Sequence, residues 1–157
     1  MRKRPGLSAG FAALLTASAS QAGAPPTADE LAAWYVAYNT IESMQPKWAV
    51  QSAEAFKAMS DAGVAVFYLD VRTAAEWKDG TIQGAVKLTL TDLATREGIA
   101  HLPKDKAAII AVYCRSGHRS ALAIPLLHRY GYANAISMQA GFVSWQASGY
   151  PVAKSGE

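Results

Sequence analysis

The chemistry of this sequence is concentrated in seven residues, Cys114-Arg115-Ser116-Gly117-His118-Arg119-Ser120. Cys114 is the single cysteine of the 157-residue chain, so neither a disulfide framework nor a Cys-based zinc cluster is available to it. It directly follows the apolar run Ala107–Tyr113 and precedes a helical stretch, Ala121–Tyr130. That places it at the carboxyl end of a strand, where parallel α/β sheets form their ligand crevice. Gly117 lets successive backbone N–H groups curl inward as an anion-binding nest. The helix N-terminus adds partial positive charge, and Arg115 and Arg119 add fixed cations. Each of these favours thiolate over thiol, and each also favours an oxyanion. The expectation is a nucleophile, Cys114, in an anion cradle where Arg115, Ser116, Gly117, His118 and Arg119 meet the substrate. A free cysteine is more often a small buried apolar residue. Two arginines, a histidine and a glycine at a strand end set this one apart. His118 reads equally well as a solvated loop residue. His101 and His128 read as surface residues without metal-site spacing, and neither a metal nor a cofactor is implied.

The elements that hold this loop follow from pattern. Val64–Leu69 and Ala107–Tyr113 are continuous apolar runs, the mark of strands buried on both faces. Gly84–Leu88 and Ala135–Met138 are further strand candidates, and Trp48-Ala49-Val50 a short one. Ser52 can cap a helix to about Ser60. Thr73-Ala74-Ala75-Glu76 is a capping box opening a short helix that stops at Asp79-Gly80. Thr91 is placed to cap a helix to about Thr95. Pro125 predicts a slight kink or an early start for the helix after the loop, and Gly131 its C-terminal end. Gly141 opens a last helix, ended by Gly149-Tyr150-Pro151. Strands alternating with helices predict an α/β fold, a mainly parallel sheet of about five strands flanked by helices.

The first 22 residues read as a leader. A cationic start, Arg2-Lys3-Arg4, precedes a short apolar run over residues 7–19 and the small-residue exit Ser20-Gln21-Ala22. The run is shorter than the roughly 20 residues that span a bilayer, so no stable anchor is expected after cleavage. Export to the periplasm or outside the cell is the implied destination. Hydrophobic residues make up 51% of the chain, which is globular composition. Loss of 1–22 removes three cationic side chains and no acidic one, leaving twelve of each sign. The net charge of +3 therefore belongs to the leader, and a nucleic-acid partner loses its electrostatic support. Residues 23–47 form a linker and an extra helix, capped at Thr27–Glu30 and carrying Leu31, Trp34 and Tyr38 at helical spacing. A helix packed on the domain is the simplest reading of 27–46, and a protein-binding helix the alternative. Residues 48–153 form the main domain and 154–157 a tail.

Four motifs in order give the chain a family resemblance. Leu69-Asp70-Val71-Arg72-Thr73-Ala74-Ala75-Glu76-Trp77, Gly80-Thr81-Ile82-Gln83-Gly84-Ala85, the Cys114–Ser120 loop, and Gly141-Phe142-Val143-Ser144-Trp145 through Gly149-Tyr150-Pro151-Val152 resemble the signatures of single-domain rhodaneses, which are sulfurtransferases. Thr81 stands where that family carries histidine. The resemblance implies a rhodanese-like fold and a persulfide mechanism on Cys114. A small anionic donor such as thiosulfate would give up its outer sulfur, and a thiol or cyanide would accept it. Arg115 and Arg119 would orient the donor. Asp70, Arg72 and Glu76 would give structural support to the loops, and Trp77 and Trp145 would lie in the core.

Two other readings compete. Related phosphatases separate Cys and Arg by five residues, whereas four lie between Cys114 and Arg119, and the tighter cradle suits a sulfane sulfur better than phosphate. A rhodanese-like binding or regulatory module without catalysis is the second alternative. Such domains often lack the cysteine that this chain keeps.

Overall fold

The strand cores of this chain carry no polar face, so they form a sheet only where helices cover both sides. The computed structural model describes residues 50–154 and, ahead of them, Ala28, Asp29 and Ala32, which are helical. Apart from those three positions, the leader, the Thr27–Glu30 capping box, the stripe of Leu31, Trp34 and Tyr38, and Trp48 and Ala49 lie outside the described residues.

The elements run β1 (Val50–Gln51), α1 (Ala53–Asp61), β2 (Val66–Asp70), a 3-10 turn (Glu76–Asp79), β3 (Thr81–Ile82), β4 (Val86–Lys87), α2 (Leu90–Leu93), α3 (Arg96–Ile99), β5 (Ile109–Tyr113), α4 (His118–Arg129), β6 (Ala135–Met138), α5 (Gly141–Ala147) and β7 (Val152–Ala153). The main sheet has the order β1-β6-β5-β2-β4, with every pair parallel. β3 and β7 make a separate antiparallel ribbon. This is the expected α/β architecture, with β5 at the centre of a five-stranded parallel sheet. Among the described residues no helix is long and apolar enough to cross a membrane.

Alternation along the strands divides the core into two layers. Ile110, Val112 and Cys114 face one side with Leu69, Ala135 and, from α2 and α4, Leu93, Ala123, Ile124 and Leu127. Ala111 and Tyr113 face the other with Tyr68, Met138 and, from α1 and α5, Phe56, Phe142 and Trp145. The sulfur of Cys114 is thereby directed to the α4 side.

Several boundaries differ from expectation, each for a local reason. β2 starts at Val66 because Val64 is used to close α1: its N–H reaches Met59 O at 2.9 Å, and Gly63 N reaches Ser60 O at 3.0 Å. Val64 is left 42% exposed. Ser52 caps α1 as expected, accepting from Ala55 N at 3.2 Å. The helix expected from Thr91 is two single turns instead. Thr89 caps α2 and Thr95 caps α3, accepting from Asp92 N and Gly98 N. α4 starts at His118, three residues before the expected Ala121. Gly117 occupies the cap, and α4 carries Pro125 inside it. Gly131 N closes that helix on His128 O. Trp145 is buried, but Trp77, expected in the core, is only half-buried. His128, expected on the surface, is also half-buried, with Nε2 3.2 Å from Ala135 O.

Candidate active site

A parallel sheet brings its loops together at one edge, and the loop after the central strand has the most neighbours. Cys114 ends β5 in this position and is 1% exposed. Its Sγ accepts a hydrogen bond from Gly117 N at 3.1 Å. The Ser120 hydroxyl lies 3.9 Å away on the first turn of α4. Gly117 has φ +103°, a conformation that turns the loop backbone inward and that side chains resist. Burial pushes the Cys114 thiol up, while the backbone N–H groups of Ser120, Ser116 and Gly117 and the Ser120 hydroxyl pull it down. The donors win, and the thiol lies below its ordinary 9.0.

The other side of the loop is clamped by α5. Phe142 N donates to Cys114 O at 2.7 Å and Val143 N to Arg115 O at 3.1 Å. The first free N–H groups of that helix are thus satisfied by loop carbonyls rather than by a capping side chain. The approach is so close that a Cβ at Gly141, where φ is +55°, would lie 2.3 Å from Cys114 O. Ala140, just before it, is held at φ 54°, a left-handed conformation that costs a residue with a Cβ about 1–2 kcal/mol.

A buried ion pair supports the same edge. Arg72 binds Asp70 through Nε and, at 2.7 Å, through Nη2. Nη2 also donates to Gly80 O at 2.6 Å and Nη1 to Glu76 O at 3.3 Å. The guanidinium lies 4.0 Å from the Phe142 ring centroid, over the first turn of α5. The Tyr113 hydroxyl accepts from Ile82 N at 3.0 Å, joining the β3 ribbon to β5. Burial and the neighbouring Asp70 carboxylate push that phenol up.

The expected capping box at Thr73–Glu76 is present, and it has a second task. Glu76 Oε2 accepts from Thr73 N and Oγ1, at 3.0 and 2.8 Å. Its two oxygens also take both ends of the Arg119 fork at 2.7 Å, across 43 residues of sequence. Arg119 holds Glu76 well below the usual carboxylate range, at about 2.

The seven-residue loop therefore divides its labour. Gly117 and Ser120 face the sulfur. Arg119 is committed to Glu76 while also bearing on the Cys114 sulfur electrostatically. Arg115 and Ser116 are exposed, as is His118, whose Nδ1 is 3.1 Å from Ser116 Oγ. Arg115 also lines a cleft of about 200 Å³ together with Glu76, Asp79, Phe142 and Val143. Thr81 is buried in the β3 ribbon, paired with Ala153. The sequence reading missed the Glu76–Arg119 bridge, the clamp from α5, and Ser137, whose hydroxyl is 2.8 Å from that of Ser120. A serine in the otherwise apolar β6, on the face shared with Ala135, was the available signal for the last.

The Rhodanese-like domain family matches residues 52–148. A sulfurtransferase of Allochromatium vinosum is 34% identical over 87 residues, 55% of this chain and 78% of that protein. The probable adenylyltransferase/sulfurtransferase MoeZ of Mycobacterium tuberculosis is 35% identical over 85 residues, 54% of this chain. The match spans 21% of MoeZ, so it concerns about a fifth of that protein. The crystal structure of a rhodanese-related protein from Thermoplasma volcanium superposes with a TM-score of 0.58 at 29% identity, over 68% of this chain and 98% of that one. With that sheet, that cysteine loop and these relatives, the chain belongs to the rhodanese-like family, in which it has relatives named sulfurtransferases.

Proposed function

We propose that this protein is a sulfurtransferase that carries a sulfane sulfur on Cys114, taken from thiosulfate or a similar anionic donor. The observation that carries the reading is the thiol itself, buried at the head of α4 with the Gly117 N–H 3.1 Å from Sγ and a lowered pKa. Such a group is largely wasted as packing but suited to attack on sulfur. The thiolate attacks the outer sulfur of thiosulfate; that S–S bond breaks, and its electron pair leaves with sulfite. Cys114 then holds a persulfide. A thiolate or cyanide attacks its outer sulfur, takes it as a persulfide or thiocyanate, and returns the Cys114 thiolate. The loop N–H groups hold the anionic charge in both halves, and Arg115 at the cleft supplies an exposed cation for the donor. With one cysteine in the chain there is no internal resolving thiol, so discharge goes to an external acceptor.

Thiosulfate-treated protein, weighed intact, should gain one sulfur atom. Cyanide or excess small thiol should return the starting mass, and Cys114→Ser should show neither change. No gain in mass with any sulfane donor would instead favour a non-catalytic binding module. The sequence of residues 1–22 further suggests that the reaction occurs outside the cytoplasm. Protein recovered from cells should then begin near Gly23 in an extracytoplasmic fraction, and full-length protein in the cytosol would refute this.

A further inference from the structure

The hydroxyl of Ser120 is offered more acceptors than it has protons. Its single proton can go to Gly117 O at 2.9 Å, to Ser137 Oγ at 2.8 Å or to Cys114 Sγ at 3.9 Å. Ser120 is fully buried and Ser137 is 4% exposed, so bulk solvent reaches neither hydroxyl freely. Gly117 O already receives the helical bond from Ala121 N at 3.0 Å and does not need the Ser120 proton. Among the described residues Ser120 Oγ is the hydrogen-bond partner of Ser137 Oγ. If Ser120 donated to Ser137, the buried Ser137 proton would have no acceptor among the described residues, at a cost of about 1–3 kcal/mol. The opposite direction satisfies both groups.

We propose that Ser137 is a positioning residue for the sulfur chemistry: its hydroxyl donates to Ser120 Oγ, which turns the Ser120 proton toward the Cys114 sulfur and favours the thiolate. The proposal rests on the reading that Cys114 is the nucleophile. Chains of hydrogen bonds polarise one another, so the donor nearest the sulfur is strengthened by the one behind it. The charged group that bears on the sulfur is Arg119, with Glu76 bound to it, and Arg115 and His118 of the same loop are exposed. The Asp70–Arg72 pair lies at the end of β2, beside β5. β6 and α5 contribute none, since neither contains an acidic, basic, Tyr or Cys residue. A change at Ser137 therefore leaves every charge in place.

The test is the pH dependence of Cys114 alkylation by iodoacetamide, which reads thiolate without requiring sulfur transfer. Ser137→Ala should raise the midpoint, slowing alkylation about three- to tenfold at a pH below it. Ser137→Thr, which keeps the hydroxyl, should restore the wild-type midpoint. In a Ser120→Ala background, adding Ser137→Ala should cause no further change. An unchanged midpoint in Ser137→Ala, or the same rise with and without Ser120, overturns the proposal. The wild-type protein gives a reading independent of any variant's folding. The Ser137 Cβ chemical shift should titrate with the midpoint of Cys114, and a shift that stays constant also overturns it. Failure of the sulfurtransferase reading appears separately, as a normal alkylation profile in protein that gains no sulfur.

Discussion

Replacing Glu76 by glutamine tests how much the 3-10 turn contributes to the loop. The carboxylate accepts from Thr73 N, Thr73 Oγ1 and both terminal nitrogens of Arg119, all at 3.0 Å or less. An amide has one acceptor oxygen and presents an NH2 group to the second side. Whichever way it turns, a donor meets a donor at Thr73 or Arg119. The lowering of the Glu76 carboxyl from 4.5 to about 2 has the Arg119 hydrogen bonds as its largest cause, opposed by burial and helped by Thr73. At full value this corresponds to about 3 kcal/mol. The two side chains are 31% and 24% exposed, and solvent screening reduces the figure to about 1–2 kcal/mol. For a domain of this size that is a fall in Tm of about 4–8 °C per kcal/mol. The sign with pH follows from linkage. A carboxylate whose folded pKa is depressed stabilises the fold at pH values above its unfolded pKa, and that contribution is lost as pH falls toward about 2. The gap between wild type and Glu76→Gln, measured by urea unfolding, should be full at pH 7 and at most about half of that at pH 3. Equal stability at pH 7, or a gap that is the same at pH 3 as at pH 7, would refute the reasoning.

Three further outcomes are expected. Gly141→Ala places a Cβ against Cys114 O and should cost about 2 kcal/mol or more, with the alkylation midpoint of Cys114 moving back toward 9.0; thermal melts and alkylation rates check both. Tyr113→Phe leaves the buried Ile82 N–H without its acceptor and should cost about 1–3 kcal/mol in urea unfolding while the Cys114 midpoint stays in place. Because the folded thiol lies below its unfolded value, thiolate formation should stabilise the protein at high pH, and this gain is lost as pH falls through the folded pKa. Wild type should therefore gain on Cys114→Ala between pH 7 and 10, as read by paired denaturation curves.

The parts of this molecule that could be read from sequence are those written in contiguous residues. The apolar runs gave β2 and β5, because a strand covered on both faces has no polar alternation to confuse it. Ser52 and the Thr73–Glu76 box marked their turns because a cap acts on its own neighbours. The cysteine loop was legible for the same reason, with Gly117 and the start of α4 adjacent in sequence. Thr89 and Thr95 were overlooked as caps, since each opens a helix of a single turn with too few residues to show a period. What sequence could not give was pairing between distant elements. Glu76 satisfies its own capping box, so nothing in the box announces Arg119. Gly141 looks like an ordinary helix opening until the Cys114 carbonyl is found against it. Arg72 lies two residues from Asp70, but its place over Phe142 depends on α5 returning to the same edge.

The clamp on the loop has a consequence for timing. Much of what surrounds Cys114 lies later in the chain: the Ser120 hydroxyl on α4, Ser137 behind it on β6, and Phe142 and Val143 on α5. A chain leaving the ribosome exposes the Cys114–Gly117 motif well before α5 exists to hold it. At that stage the cysteine is an ordinary thiol in an open segment, without the donors that favour its anion. The same holds for a polypeptide kept unfolded in transit or truncated before residue 141. On the function proposed above, a reactive Cys114 therefore waits for α5, which ties it to completion of the domain.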